Sequence, residues 1–252
     1  MIDIHTHLLP GVDDGSRTMD QSVEVLSRFA AEGVTTLVCT PHLKASRAAE
    51  APRARNEALL AELRERMGDA IELRLGWEIM LDRPGVDLSS GVLRLGTSTA
   101  VLVEFPHSGV PPRSTFELAR LREAGVVPVL AHPERYLGAS VSQVREWRSA
   151  GAVMQGDATF LLGTGDKGRL AQALLEEGLI DLLSSDNHGD QRSLRAARDW
   201  LLEMDASEHA ELLTGGNAAR LLDDGMTMPV PPLTIPRGFA TRLRELLFGR
   251  RN

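Results

Sequence analysis

The sequence predicts an α/β protein folded as a distorted seven-stranded (β/α) barrel. Three observations lead there. Apolar runs of strand length alternate with segments of helical periodicity along nearly the whole chain. The runs are continuously apolar rather than alternating, as a parallel sheet covered on both faces requires. The polar residues that break them fall at their C-terminal ends, where parallel barrels assemble their sites. An open, doubly wound sheet is the alternative arrangement of the same units.

The elements follow in order. Met1 to Ile4 is a short first strand ending at His5, and Thr18-x-x-Gln21 fits a capping box that starts a helix ending before Gly33. Val34 to Thr40 is rich in β-branched residues and runs into Pro41-His42, and Arg53 to Met67 is rich in Ala, Glu and Arg and reads as a helix. Strands are expected over 71–79, 100–105, 126–131, 152–156 and 180–184, with helices over 115–124, 141–150, 167–177 and 194–204. That makes seven strands in one domain spanning 1–252. Met226 to Pro236 is Pro-rich and ends the globular part, and 239–248 reads as a short basic amphipathic helix packed on the barrel.

Composition narrows the function. A chain of 252 residues with a net charge of −7 has the size of a one-domain α/β barrel and the wrong sign for a general nucleic-acid binder. The one cysteine, Cys39, excludes an intramolecular disulfide framework, and its apolar strand marks it as buried and inert. The start, Met1-Ile2-Asp3-Ile4-His5, has no basic and apolar signal run, and no apolar stretch approaches the ~20 residues of a membrane span. A cytoplasmic location, away from membranes, is expected. Lysine is scarce, only Lys44 and Lys167 among 28 basic residues, a bias of the genome rather than of function.

The informative pattern is where metal-competent side chains fall. His5 and His7 close the first strand, His42 the second, Glu78 the third, Glu104 the fourth, His132 the fifth, and Asp186 with His188 the seventh. Residues two apart on an extended chain point the same way, so His5/His7 and Asp186/His188 each aim two donors at one place. Any one of these residues alone would read as a hydrogen-bonded core histidine or an ion-pair carboxylate. Together with Asp14 they make more donors than one ion needs, so two or three are implied. Imidazole mixed with carboxylate favours Mn, Fe or Zn. Clustered ions of this kind polarise phosphoryl oxygens and supply hydroxide near neutral pH, which points to phosphoester hydrolysis. Arg135 and Arg192, each just beyond a donor, are placed to hold phosphoryl oxygens in forked fashion. Their structural alternatives are an ion pair with Glu134 for Arg135 and a solvated loop charge for Arg192. His107 and His209 lie off the pattern, as a loop residue and a helix-surface residue without function.

The motifs His5-x-His7, Pro10-Gly11-Val12-Asp13-Asp14-Gly15-Ser16, Thr40-Pro41-His42, Gly76-x-Glu78-Ile79, Glu104-Phe105-Pro106, Ala131-His132-Pro133-Glu134-Arg135-Tyr136 and Ser185-Asp186-x-His188 resemble the polymerase-and-histidinol-phosphatase superfamily. More closely they resemble its bacterial capsule-associated branch, the manganese-dependent protein-tyrosine phosphatases of the CpsB/CapC/YwqE type. The resemblance runs from Met1 to about Leu222. It implies a seven-stranded distorted barrel and three ion positions: one on His5, His7, Glu78 and Asp186, one sharing Glu78 with Glu104 and His132, and one on Asp14, His42 and His188. It implies manganese and a phosphotyrosine substrate on the tail of a cytoplasmic tyrosine kinase that controls polysaccharide export. The expected reaction is in-line attack by metal-bound hydroxide with no phosphoenzyme. Two departures stand out: Asn187 where a small residue is expected, and the loosely patterned Gly189-Asp190-Gln191-Arg192. The competing functions are a small-molecule phosphatase, acting on histidinol phosphate or a nucleotide fragment, and a non-catalytic metal-binding regulator of polysaccharide synthesis.

Overall fold

The computed structural model describes residues 1–106 and 109–236, so the helix expected at 239–248 and His107 lie outside the described residues. Strands and helices alternate as β1 (Ile2–Thr6), α1 (Met19–Ala31), β2 (Thr36–Cys39), β3 (His42–Lys44), α2 (Arg53–Met67), β4 (Glu72–Leu75), β5 (Glu78–Met80), β6 (Ala100–Glu104), α3 (Ser114–Glu123), β7 (Val127–Ala131) and α4 (Val141–Ser149). They continue as β8 (Val153–Asp157), α5 (Ala158–Leu161), α6 (Asp166–Glu176), β9 (Leu182–Ser184), α7 (Leu194–Glu203), α8 (Ser207–Glu211) and α9 (Asn217–Leu222). The Thr18 hydroxyl accepts from the Gln21 amide and starts α1 as expected.

All strand pairings are parallel, in two sheets of order β1-β2-β4 and β3-β5-β6-β7-β8-β9. The described residues thus hold nine strand segments where seven strands are expected. Two expected strands are each cut in half, 34–40 with its extension into β2 and β3, and 71–79 into β4 and β5. Pro41 has no N–H for the ladder and breaks the first. The second breaks at Gly76, where a Cβ would stand 2.6 Å from the Leu95 side chain. The chain changes sheets at both breaks. At the far margin β1 and the end of β9 meet again through a parallel bridge between Thr6 and Asn187, with the His7 amide donating to the Asn187 carbonyl at 2.8 Å.

Side chains from both sheets share one interior cluster. Ile4 and Val38 from the three-stranded sheet pack with Leu102, Val129, Ala131 and Leu182 from the six-stranded one, and Ala218, Leu221 and Leu222 of α9 join them. Each such large side chain, fully buried, stabilises by about 1.5–3 kcal/mol. Strand periodicity sets Glu104 on the same face as Leu102, two residues on, so the apolar floor and the polar upper layer come from the same strands.

The Pro-rich segment does not lie outside the packed body. Asn217 bonds both backbone groups of Met228, Val230 is buried, and His209 is hydrogen-bonded to the Pro231 carbonyl at 3.0 Å. The expectation of His209 as a surface residue is therefore corrected. It is buried because the 226–236 segment covers α8.

Candidate metal centre

The structure brings all nine expected donors to one place. Side-chain donor atoms fall into four overlapping groups: His7, Asp14, His42 and His188; His5, Glu78 and His132; His5, His7 and Asp186; and His42, Glu78 and Glu104. Within each group they lie within 4.8 Å of one another. Glu78 opens β5, Glu104 closes β6, and His132 follows β7 directly. His132 (φ 36°) and Asp186 (φ 47°) hold left-handed backbone, which costs a residue with a Cβ energy and is tolerated where the surrounding structure forces it.

Hydrogen bonds at the back of the rings fix their tautomers. Gln155 Nε2 donates to the Gly156 carbonyl, which leaves Oε1 to accept from His5 Nδ1 at 2.8 Å. Asp13 accepts from His7 Nδ1 at 2.7 Å, from the Gly15 amide and from the His42 amide. In the neutral rings both Nε2 atoms then carry lone pairs, and they face each other at 3.2 Å. Each also lies 3.3–3.4 Å from Glu78 Oε2 and 3.3 Å from Asp186 Oδ1. Lone pairs so crowded need a proton or a metal cation between them. Ligands about 2.0–2.2 Å from a shared ion stand about 3–3.6 Å apart, which is this spacing. Both Glu104 oxygens, Asp186 Oδ1 and His132 Nδ1 are also buried without a hydrogen-bond partner. The donor set fits a cluster of divalent ions.

The charges show the same tension. Burial opposes the charge on His5, but Glu78 and Asp186 outweigh it and raise its pKa to about 9. His7 is also raised, against burial, by Asp13, Asp186 and Glu78. Burial and then the charge of Glu78 push Glu104 up to about 7, whereas burial lowers His132 to about 4. Asp186 is held well below the ordinary carboxylate range, against burial, by His5 and His7.

Arg135 Nη1 donates to Asp186 Oδ2 at 2.8 Å, and Arg192 Nη1 stands 3.5 Å from the same oxygen. The expected alternative partner of Arg135, Glu134, is instead buried and accepts from the Asp157 amide at 2.7 Å. Arg192 is no solvated loop charge, since Asp190 holds its Nε at 2.8 Å. Two guanidinium groups therefore flank the donors on one side. Asp13 and Gln155 escaped the sequence reading. Asp13 sits inside the quoted acidic motif, and Gln155 is the polar residue near the end of the one strand to which no donor had been given.

Fold and site define a parallel α/β protein with a cluster of metal-competent side chains at strand ends and beside the breaks where β3 and β5 begin. The chain belongs to the family described as capsular polysaccharide synthesis, CpsB/CapC, whose model matches residues 1–223. Among its relatives, the tyrosine-protein phosphatase YwqE of Bacillus subtilis is 28% identical over 247 residues, covering 94% of this chain and 97% of YwqE. The tyrosine-protein phosphatase CpsB of Streptococcus pneumoniae is 26% identical over 240 residues, covering 89% and 99%. A solved structure from work on YwqE and CpsB, described as unique metal-dependent tyrosine phosphatases, aligns with a TM-score of 0.76 at 28% identity, over 94% of this chain and all of that one.

Proposed function

We propose that this protein is a metal-dependent protein-tyrosine phosphatase of the cytoplasm. Its substrate is the phosphotyrosine-bearing tail of a tyrosine kinase in capsule or exopolysaccharide synthesis. The carrying observation is the convergence of nine donors with two guanidinium groups on one carboxylate oxygen of the cluster. The similarity to named tyrosine-protein phosphatases supports the substrate class. The rim supports a protein substrate over a small enclosed one, because His42 and Asp14 keep 36% and 70% of their side chains exposed. Among the described residues no helix is long and apolar enough to cross a membrane.

In this reading the donors hold two or three ions, Mn by preference, on the three ligand sets given above. When bound, these ions would polarise the phosphoryl oxygens and activate water for attack without a phosphoenzyme. The chain's own part is electrostatic and geometric. Arg135 and Arg192 turn their forks from Asp186 to the equatorial oxygens, neutralising charge as the ester bond lengthens. Asp13 and Gln155 hold the His7 and His5 rings with their Nε2 atoms forward. The two sheets are read as parts of one distorted barrel of seven strand units in a single domain. The Thr6–Asn187 bridge and the shared interior cluster support this.

The test is steady-state kinetics on a phosphotyrosine peptide, a phosphoserine peptide and histidinol phosphate with Mn supplied, beside metal analysis. Phosphotyrosine is expected to be preferred. Arg135→Ala should keep its metal and lose turnover by about 10²-fold, the scale of one preorganised charge donor. Preference for histidinol phosphate would overturn the substrate class. An Arg135→Ala enzyme of native turnover would remove Arg135 from the site.

A further inference from the structure

We propose that Asn187 is a positioning residue for the phosphate clamp: through the turn 188–192 its side chain sets where the Arg192 guanidinium stands, and Arg28 of α1 braces that turn from outside. The inference rests on the reading of Arg192 as a phosphate-holding group.

Asn187 is fully buried where a small residue is expected, and its side chain is committed to one turn. Oδ1 accepts from the Gly189 amide at 2.8 Å and the Asp190 amide at 3.4 Å. Nδ2 donates to the carbonyls of Asp190 at 3.1 Å and Arg192 at 2.7 Å. Asp190, held in this way, accepts from the Arg192 amide at 3.0 Å and from its Nε at 2.8 Å. Asn187 thus acts on Asp190, and Asp190 on the Arg192 side chain, which it aims at Asp186. From outside, Arg28 donates to the Asp190 carbonyl at 2.7 Å, to the Arg192 carbonyl at 3.5 Å and to Gln191 Oε1 at 2.9 Å. Gln21 Nε2 donates to the Gly189 carbonyl at 2.8 Å. Gly189 (φ +79°) permits this approach, since a Cβ there would stand 2.6 Å from Gln21 Nε2.

Side chain and backbone of Asn187 serve different ends. The backbone carbonyl accepts from the His7 amide and the backbone amide donates to Ser185 Oγ, bonds any residue could make that register β1 against the end of β9. The hydrogen bonds of the side chain all go to the turn. Truncation should therefore spare the donors and loosen Arg192, whose long side chain loses the constraint that preorganises its fork.

The test uses the full chain loaded with Mn and inorganic phosphate as the probe, titrated calorimetrically, with metal content measured on each sample. Asn187→Ala and Arg192→Ala should each weaken phosphate binding by about 10-fold, with metal content unchanged. The double variant should bind no more weakly than Arg192→Ala, because a residue acting through another has no effect once that one is gone. Asn187→Asp keeps the acceptor for Gly189 but sets a carboxylate against two carbonyls, so it should not rescue. Arg28→Ala leaves Asn187 in place and should give a smaller loss in the same direction, which keeps the test open if Asn187→Ala does not fold. The inference is overturned by native phosphate affinity in Asn187→Ala, or in Arg192→Ala, by additive losses in the double variant, or by loss of metal from Asn187→Ala. A wild-type protein that fails to hydrolyse phosphotyrosine peptide would remove the phosphatase reading alone, since phosphate binding still judges Asn187.

Discussion

The inner and outer halves of the donor cluster use the same side-chain chemistry in opposite surroundings. His5, His132, Glu78 and Asp186 are at most 1% exposed, and His5 is fixed from behind by buried Gln155. Asp14, His42 and His188 keep 70%, 36% and 16% of their side chains in solvent. His7 belongs to both halves. Charges in the dry half interact strongly and cannot be relieved by water, so that half is incomplete without cations or protons. The wet half is open to solvent, which screens its charges.

The largest expected effect comes from cutting the dry half at its hub. Glu78 lies within 2.8–3.4 Å of His132, His42, His7 and His5. Glu78→Gln keeps the shape and removes the charge. Turnover should fall by more than about 10²-fold, past the range of ligand-supporting residues, with at least one ion lost per chain by elemental analysis. Full metal with native turnover would erase the distinction between the halves. Asp14→Ala, in the wet half, should cost less, about 10-fold, because His7, His42 and His188 remain to hold the ion. Excess Mn should restore most of its activity. If it is as inactive as Glu78→Gln and beyond rescue, the outer ion does not exchange with added Mn.

The smallest effect is one of sign. In the metal-free protein His5 titrates near 9 against an ordinary value of 6.5, and His7 is raised in the same direction. Their stabilisation is complete below 6.5 and is lost as pH rises towards 9. Glu134, raised by burial and by Asp157 to about 8, adds to that loss. The opposite contribution of His132, lowered to about 4, is nearly complete by 6.5. With metal bound the histidines must be neutral, so rising pH removes proton competition and stabilises the protein. Thermal melting between pH 6.5 and 8.5 should fall in chelated protein and rise in Mn-loaded protein, by about 2–4 °C per kcal/mol. Slopes of one sign in both samples would show that the dry half is not where protons and metal compete.

Much of the site was legible because its signals are local. Donors two apart on a strand share a side by the geometry of the extended chain, and the ends of apolar runs mark the face where parallel strands expose their polar residues. Arg135 was legible in position but not in partner. Glu134 is adjacent in sequence, yet it turns into the protein towards the Asp157 amide, leaving the guanidinium to Asp186, 51 residues away. Asn187 read only as a departure, because its meaning lies in a turn whose bonds form after the chain has folded.

By itself the sequence determined the parallel α/β class and singled out the metal-competent side chains that the fold brings together. Both follow from periodicity and residue chemistry within a few positions. The tertiary structure alone decided that a strand would be cut at Gly76 against Leu95, that His209 would be covered by the 226–236 segment, and which donors would group. His5 meets Gln155 across 150 residues and His132 meets Glu78 across 54, approaches that no local pattern encodes. They depend on how the sheets twist and register, and that is set by the packing of many side chains at once.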